Sequence, residues 1–105
     1  MARDDMHVIV YRLLSYLYRQ LKEGAEVDDR KIDDAAFGIN RSYWAFIMKE
    51  LREKGYTAGY SVIANDHGGF RIDHLERARI TFDGVEYLTD DYFMGKVRAA
   101  ETGLE

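Results

Sequence analysis

Basic side chains recur at helical spacing near the middle of the chain, in a pattern suited to binding phosphate groups. The basic residues are Arg41, Lys49 and Arg52, and Ala45 occupies the remaining position of the stripe. The hydroxyl of Ser42 lies beside them. Residues three or four positions apart lie on one face of an α-helix. In a helix-turn-helix protein, the N-terminal residues of the second helix contact base edges in the major groove. The pattern therefore predicts Arg41, Ser42 and Ala45 at the bases of a DNA duplex. Lys49 and Arg52 would then contact backbone phosphates.

The charge distribution favours this segment only weakly. The formal net charge of the 105 residues is −4, whereas a dedicated nucleic-acid binder usually has a basic surplus. Residues 41–79 carry seven basic and five acidic side chains, a net charge of +2. The segments on either side are acidic: residues 1–40 carry six basic and eight acidic side chains, and residues 80–105 carry two basic and six acidic ones. We expect Glu50 and Glu53 to point away from the basic face. The alternative interpretation of that face is an ordinary solvated helix surface.

The other chemical signals in the sequence are weak. The chain has no cysteine, which excludes disulfides, thiolate metal sites and cysteine nucleophiles. Its three histidines, His7, His67 and His74, lack the convergent spacing of a zinc site. Gly68 and Gly69 form a turn signal and not a phosphate-binding loop, since no strand-to-helix junction with a following lysine is present. We therefore expect no catalytic residue, no cofactor and no metal, and we expect that the protein is not an enzyme.

Caps and apolar periodicity divide the chain into elements. Asp4 or Asp5 can cap a first helix, and Gly24 is placed to end it. Asn40 is a good cap for a third helix, and Thr81 caps a later one. The predicted helices are 4–23, 29–37, 41–54 and 82–89, with a β-ribbon near 56–64 and 70–80 and a C-terminal helical extension at 91–102.

The first helix has a wide apolar arc. One stripe contains Met6, Ile9, Leu13, Leu17 and Leu21, and a second contains Val10, Leu14 and Tyr18. This pattern indicates either a central helix packed on two sides by its own chain or a dimer surface. We expect the first helix and the C-terminal extension, with Phe93, Val97 and Ala100 on one side, to pack together. In similar small proteins such a pair often forms a homodimer.

An acidic group surrounds the second predicted helix. It contains Asp28, Asp29, Asp33 and Asp34. A calcium loop requires alternating oxygen ligands and a glycine at fixed offsets, which this segment lacks. Helix caps and a solvated face are the expected roles. Ile32, Ala35 and Ala36 offer a small inward face to the same helix.

The order of the elements predicts an α+β fold of the winged-helix type. A helix, a β-ribbon hinged on residues 65–69 and a short capped helix follow one another from Gly38 to Leu88. At the closing segment, Thr81 ends the ribbon and Gly84 allows a close helix approach, while Tyr87 and Leu88 enter the core. The chain is expected to form one domain, 1–105, with its core at about 5–90.

The chain resembles the YjcQ-like family of small bacterial and phage proteins over roughly residues 6–98. The resemblance rests on the centre of the first helix, residues 13–17, and on the Phe37-Gly38-Ile39 turn before Tyr43-Trp44. It rests also on Lys54-Gly55-Tyr56 and on the segment from Arg79 to Leu88. The resemblance implies a winged-helix fold and no settled biochemical activity.

These observations lead to one functional prediction and one alternative. The prediction is a cytoplasmic transcriptional regulator that binds double-stranded DNA, with His67 and Arg71 at the tip of the ribbon contacting the adjacent backbone. The alternative is a winged-helix module for protein–protein contact, which the acidic C-terminal third and the apolar arc of the first helix favour. No segment has the length and hydrophobicity of a membrane span.

Overall fold

The computed structural model describes residues 2–102, and the side chains of all of these except 92, 93 and 102. Within this part the chain forms five α-helices and four short strands, which confirms the α+β class. The helices are α1 (Met6–Glu23), α2 (Asp34–Phe37), α3 (Arg41–Glu53), α4 (Phe82–Asp90) and α5 (Tyr92–Thr102). The strands are β1 (Thr57–Ala58), β2 (Ser61–Ala64), β3 (Phe70–Asp73) and β4 (Arg79–Ile80).

Helix α1 is the centre of the fold. The Asp5 side chain accepts a hydrogen bond from the His7 N–H, and Gly24 ends the helix with a left-handed φ of 65°. Most of its two apolar stripes is covered, because α4, α5 and β4 pack around it. Met6 and Leu21, near its two ends, are exposed. Its buried residues are Val8, Ile9, Val10, Leu13, Leu14, Tyr16 and Leu17. The prediction of a central helix packed by its own chain is confirmed.

The C-terminal extension packs on α1 as expected. Met94 and Val97 on α5 are fully buried, and Arg12 Nε lies 3.5 Å from Glu101 Oε1. The side chain of Phe93, which was also assigned to this contact, lies outside the described residues. This helix pair forms within one chain, and a homodimer through it stays a prediction.

The prediction of a single helix over residues 29–37 is wrong. A 3₁₀ turn, Asp29–Lys31, comes first, and α2 begins only at Asp34. Asp28 caps the turn through the Arg30 N–H, and Asp33 caps α2 through the Ala36 N–H. Two aspartate caps in succession start two separate turns, because each cap residue has extended backbone. Ile32 is buried between them.

The predicted inward face of this segment is only partly present. Ile32 is fully buried, and its carbonyl accepts a hydrogen bond of 2.9 Å from Trp44 Nε1. Ala35 and Ala36, in contrast, are exposed. Gly38 then turns the chain with φ 66°, and the Asn40 side chain caps α3 by accepting from the Tyr43 N–H at 2.8 Å.

The β-ribbon is divided into two pairs of strands. Strand β1 pairs with β4, and β2 pairs with β3, both antiparallel. Between the pairs, residues 59–60 on one arm lie opposite residues 74–78 on the other. The prediction of one continuous return strand over residues 70–80 is wrong. His74 adopts a left-handed φ of 60°, and a 3₁₀ turn, Leu75–Arg77, follows it. We call residues 59–60 and 74–78 the waist of the ribbon.

Tyr60 anchors the waist to α3. Its side chain is buried, and its hydroxyl lies 2.6 Å from both the Met48 carbonyl oxygen and the Thr57 hydroxyl. Arg52 Nε donates a hydrogen bond of 2.9 Å to the main-chain carbonyl of Tyr60. These bonds satisfy polar groups that would otherwise be unpaired in the core.

The segment that closes the ribbon has the predicted cap and close approach, while only one of its two predicted core residues is fully buried. The Thr81 hydroxyl accepts from the Gly84 N–H at 3.0 Å and donates to the Gly55 carbonyl. Gly84 packs directly against the main chain of Tyr56. Leu88 is buried, and Tyr87 is half-buried, with its ring stacked on that of Tyr56.

Replacement of Gly84 by Ala should destabilise the protein, although alanine is the better helix former. The added Cβ would lie 2.2 Å from the Tyr56 carbonyl oxygen and 2.7 Å from the Ile80 side chain. Over-packing of this kind costs about 1–3 kcal/mol, which urea unfolding can measure. Gly95→Ala is the control, since only the end of the Arg98 side chain comes near, at 3.9 Å. Equal changes in the two variants would contradict the prediction.

Tyr60 should make stability fall at alkaline pH, because burial raises the pKa of its phenol to about 12. The unfolded phenol ionises near its ordinary value of about 10, so the folded chain holds the proton that the unfolded chain has lost. The free energy of unfolding should therefore fall as the pH rises from about 10 towards 12. Tyr60→Phe should lack this part of the fall and lose about 1–2 kcal/mol at neutral pH.

The measurement is urea unfolding as a function of pH for the wild type and Tyr60→Phe. Tyr18→Phe, which removes a hydroxyl from a half-buried ring on α1, is the control and should keep the wild-type profile. Parallel pH profiles for the wild type and Tyr60→Phe would show that Tyr60 is not the responsible group.

Candidate nucleic-acid interface

The basic face predicted on α3 lies against the ribbon. The pairing register places Val62 opposite Ile72 and Ala64 opposite Phe70, and these four side chains share one face of the β2–β3 pair. That face packs on α3, where the ring centroid of Phe70 lies 5.0 Å from Lys49 Nζ. The outward face of the pair carries Ile63 and Arg71. Much of the predicted stripe is therefore a contact between elements of the chain.

Ala45 does not face the solvent. It is 3% exposed and belongs to the core cluster that includes Trp44 and Met48. The prediction that it contacts bases is wrong. A small apolar residue fits either a core face or an outer face, so its helical spacing from Arg41 did not decide its position.

Lys49 is held by acidic neighbours on its own helix. Its Nζ lies 3.2 Å from Glu53 Oε2 and 3.9 Å from Glu50 Oε1. The expectation that Glu50 and Glu53 point away from the basic face is therefore wrong. A lysine and a glutamate four residues apart are neighbours on a helix surface, and here that pairing reduces the net charge of the face.

Two further predicted contact residues also have partners within the chain. Arg52 is exposed but anchored through Nε to the carbonyl of Tyr60. Arg71 makes a two-pronged contact with Asp73, with nitrogen–oxygen distances of 3.0 and 3.1 Å. The hydrogen bonds to Asp73 raise the pKa of the Arg71 guanidinium.

Arg41 and Ser42 keep the expected position. Both are exposed in the first turn of α3, and the Arg41 guanidinium lies 5.7 Å from the centroid of the Trp44 ring. Within residues 2–102 Arg41 has no carboxylate at ion-pair distance. It therefore presents a cation at the positive end of the α3 dipole, where anions are stabilised.

The tip of the ribbon is an ordered turn facing this end of α3. Asn65 Oδ1 accepts from the His67 N–H at 3.0 Å and from the Gly69 N–H at 2.9 Å. Gly68 has a left-handed φ of 80°, which favours glycine. The turn leaves the His67 imidazole exposed.

A groove of about 540 Å³ separates the first turns of α3 from the ribbon tip. Among the described residues, its lining is Arg41, Ser42, Phe46, Asn65, His67, Gly68, Gly69 and Phe70. This set contains a guanidinium, an imidazole, an amide and two aromatic rings, and no carboxylate. The groove can therefore accept an anion together with a flat or apolar group.

Phe46 and Asn65 were not singled out as site residues by the sequence. Phe46 is 43% exposed. The available signal was its spacing of four residues from Ser42, which puts both on one helix face. Asn65 was treated only as a turn residue, and its place in the groove depends on how the ribbon folds back.

No metal centre or membrane span is found in the part of the chain that the structure describes. His7 lies in the first turn of α1, His67 lies at the ribbon tip and His74 lies at the waist. Across residues 2–102, no three His, Asp or Glu side chains form a group that could hold a metal ion. None of the described helices has the length and apolar character needed to cross a membrane.

Comparison with known proteins gives one match. No curated protein and no solved structure matches the chain. The sequence model of one family, described as YjcQ protein, matches residues 11–102. This span includes the centre of α1, the α2–α3 turn, the ribbon and the closing segment from Arg79 to Leu88, on which the resemblance was based. The resemblance is confirmed, and the chain belongs to the YjcQ family.

Proposed function

We propose that this protein is a winged-helix transcriptional regulator that binds double-stranded DNA through the N-terminal end of α3 and the ribbon tip. The observation that carries the proposal is the groove between these two elements, whose described lining includes Arg41 and His67 and no carboxylate. DNA recognition requires cations for the phosphates and exposed polar groups for the base edges, and both are present here.

The order and connection of the elements support the winged-helix part of the proposal. Helix α2 and helix α3 are separated by residues 38–40, with Gly38 in the left-handed region. A short glycine-containing turn between two helices is typical of a helix-turn-helix. The ribbon follows α3 directly, and α4 closes it through the Thr81 cap.

Under this proposal the contact residues are fewer than the sequence pattern suggested. Arg41 and Ser42 contact the duplex, and His67 contacts the neighbouring backbone. Lys49 and Arg71 are engaged with Glu53 and Asp73. Exposed ion pairs are worth about 0–1 kcal/mol, so a phosphate group can displace the carboxylate from Arg71.

A protein–protein role is the second candidate, and two exposed rings favour it. Phe82, the first residue of α4, is 80% exposed, and Phe46 is 43% exposed. Exposed aromatic side chains are enriched at protein interfaces. Most of the apolar arc of α1 is buried within the chain and no longer supports this role. A protein partner bound by the wild type and lost in Phe82→Ser, with DNA binding absent in both, would favour the second candidate.

Arg41→Gln should weaken DNA binding more than any other single substitution that removes one positive charge. Loss of an arginine that contacts a base costs about 1–3 kcal/mol. The measurement is fluorescence anisotropy with a pool of genomic duplexes at ~50 mM salt, and log K should fall with log salt by about 0.9 per phosphate neutralised. The control is Arg19→Gln, because Arg19 is exposed near the C-terminal end of α1, outside the proposed interface. No binding of the wild type under these conditions would overturn the proposed function.

Asp73→Asn should strengthen DNA binding, because it releases Arg71 from its ion pair. The affinity for DNA at low salt should rise several-fold. The slope of log K against log salt should steepen by about 0.9, which corresponds to one additional phosphate contact. Glu23→Gln, at the C-terminal end of α1, changes the net charge equally and should have little effect. The same gain in both variants would mean that only net charge matters.

A further inference from the structure

Two arginine side chains lie at the ribbon waist, and a third arginine is close to it in the main chain. Arg52 Nε donates to the carbonyl of Tyr60. Arg79 Nη1 lies 3.3 Å from the position that a Cβ on Gly59 would occupy. Arg77 lies on the opposite arm, and its carbonyl contacts the same glycine. All three arginine residues are exposed. We infer that the Arg52 and Arg79 side chains, together with Arg77 two residues before Arg79, form a phosphate-binding site at the waist.

The charge balance at the waist supports an anionic ligand. Over the described residues, none of the three guanidinium groups has a carboxylate within ion-pair distance. Two of the nearest acidic residues in sequence are paired with other cations, since Glu53 pairs with Lys49 and Asp73 pairs with Arg71. Glu76 lies 3.8 Å from His74 Nδ1. Like charges held near one another repel, and an anion removes that cost.

The backbone at the waist holds these groups in position. Gly59 has φ 98°, and a Cβ there would lie only 1.9 Å from the Arg77 carbonyl oxygen. The two arms therefore approach closely only because residue 59 is glycine. With Arg52 Nε fixed by Tyr60, the terminal nitrogens of Arg52 remain to donate to a ligand. Arginine suits phosphate because its planar donors can form two parallel hydrogen bonds.

The ligand class follows from the position of the site along α3. The groove lies at the N-terminal end of α3, and Arg52 lies near its C-terminal end. Its 13 residues extend over about 20 Å, the axial rise of roughly six base pairs. The waist thus binds a backbone phosphate of the duplex that occupies the groove. The identity of this ligand rests on the proposed function, whereas the existence of the anion site does not.

Inorganic phosphate and pyrophosphate test the site without DNA. In a titration followed by the arginine Nε–Hε resonances, Arg52 and Arg79 should shift and saturate. The double variant Arg77→Gln/Arg79→Gln should bind pyrophosphate at least tenfold more weakly. Arg19→Gln should bind as the wild type does. Equal shifts at Arg19 and at the waist, or unchanged binding in the double variant, would overturn the inference.

A duplex separates the two proposals. If both hold, the double variant should bind DNA with a salt slope smaller by about 0.9 for each phosphate that the waist no longer neutralises, without a change in sequence preference. Pyrophosphate binding at the waist without DNA binding would support the site and overturn the DNA proposal. DNA binding with an unaltered salt slope in the double variant would overturn the inference and leave the proposed function standing. Thermal unfolding of each variant confirms that its fold is intact.

Discussion

The bonds made by Tyr60 hold the ribbon against α3, and the positions of the candidate site residues depend on them. Its ring is buried, its hydroxyl meets the Met48 carbonyl and the Thr57 hydroxyl, and its own carbonyl accepts from Arg52. A buried polar group left unpaired would cost about 1–3 kcal/mol. The arrangement in which all of these groups are satisfied is therefore strongly preferred. Because Gly59 allows a left-handed turn beside it, the β2–β3 pair folds back along α3.

This folding back changes the chemistry of α3. Its middle is covered, with Ala45 in the core and Lys49 placed between Glu53 and the ring of Phe70. Basic groups remain accessible at its two ends, Arg41 at the groove and Arg52 at the waist. A nucleic acid would therefore contact α3 at its ends and the ribbon between them. This differs from the single continuous basic stripe that the sequence spacing indicates.

Local features of the fold could be predicted because their energies are local. Asn40 and Thr81 cap helices with hydrogen bonds to residues three positions away. Gly38 ends a helix in a backbone conformation that residues with a side chain rarely adopt. The break before α2 was missed, because Asp33 was placed inside the predicted helix 29–37 and is instead a second cap. The short turn after His74 was missed because a positive φ at a histidine has no signal in the sequence.

The sequence by itself determined the α+β class, most helix ends and membership of the YjcQ family. These follow from caps, glycines and apolar spacing, which act over a few residues. Only the tertiary structure decided which cations are available. Arg41, Lys49 and Arg52 have the same helical spacing, but the partners that distinguish them include Phe70 and Tyr60 on the ribbon. A charge on a helix acquires its chemistry from the element packed against it, and helical spacing holds no information about that element.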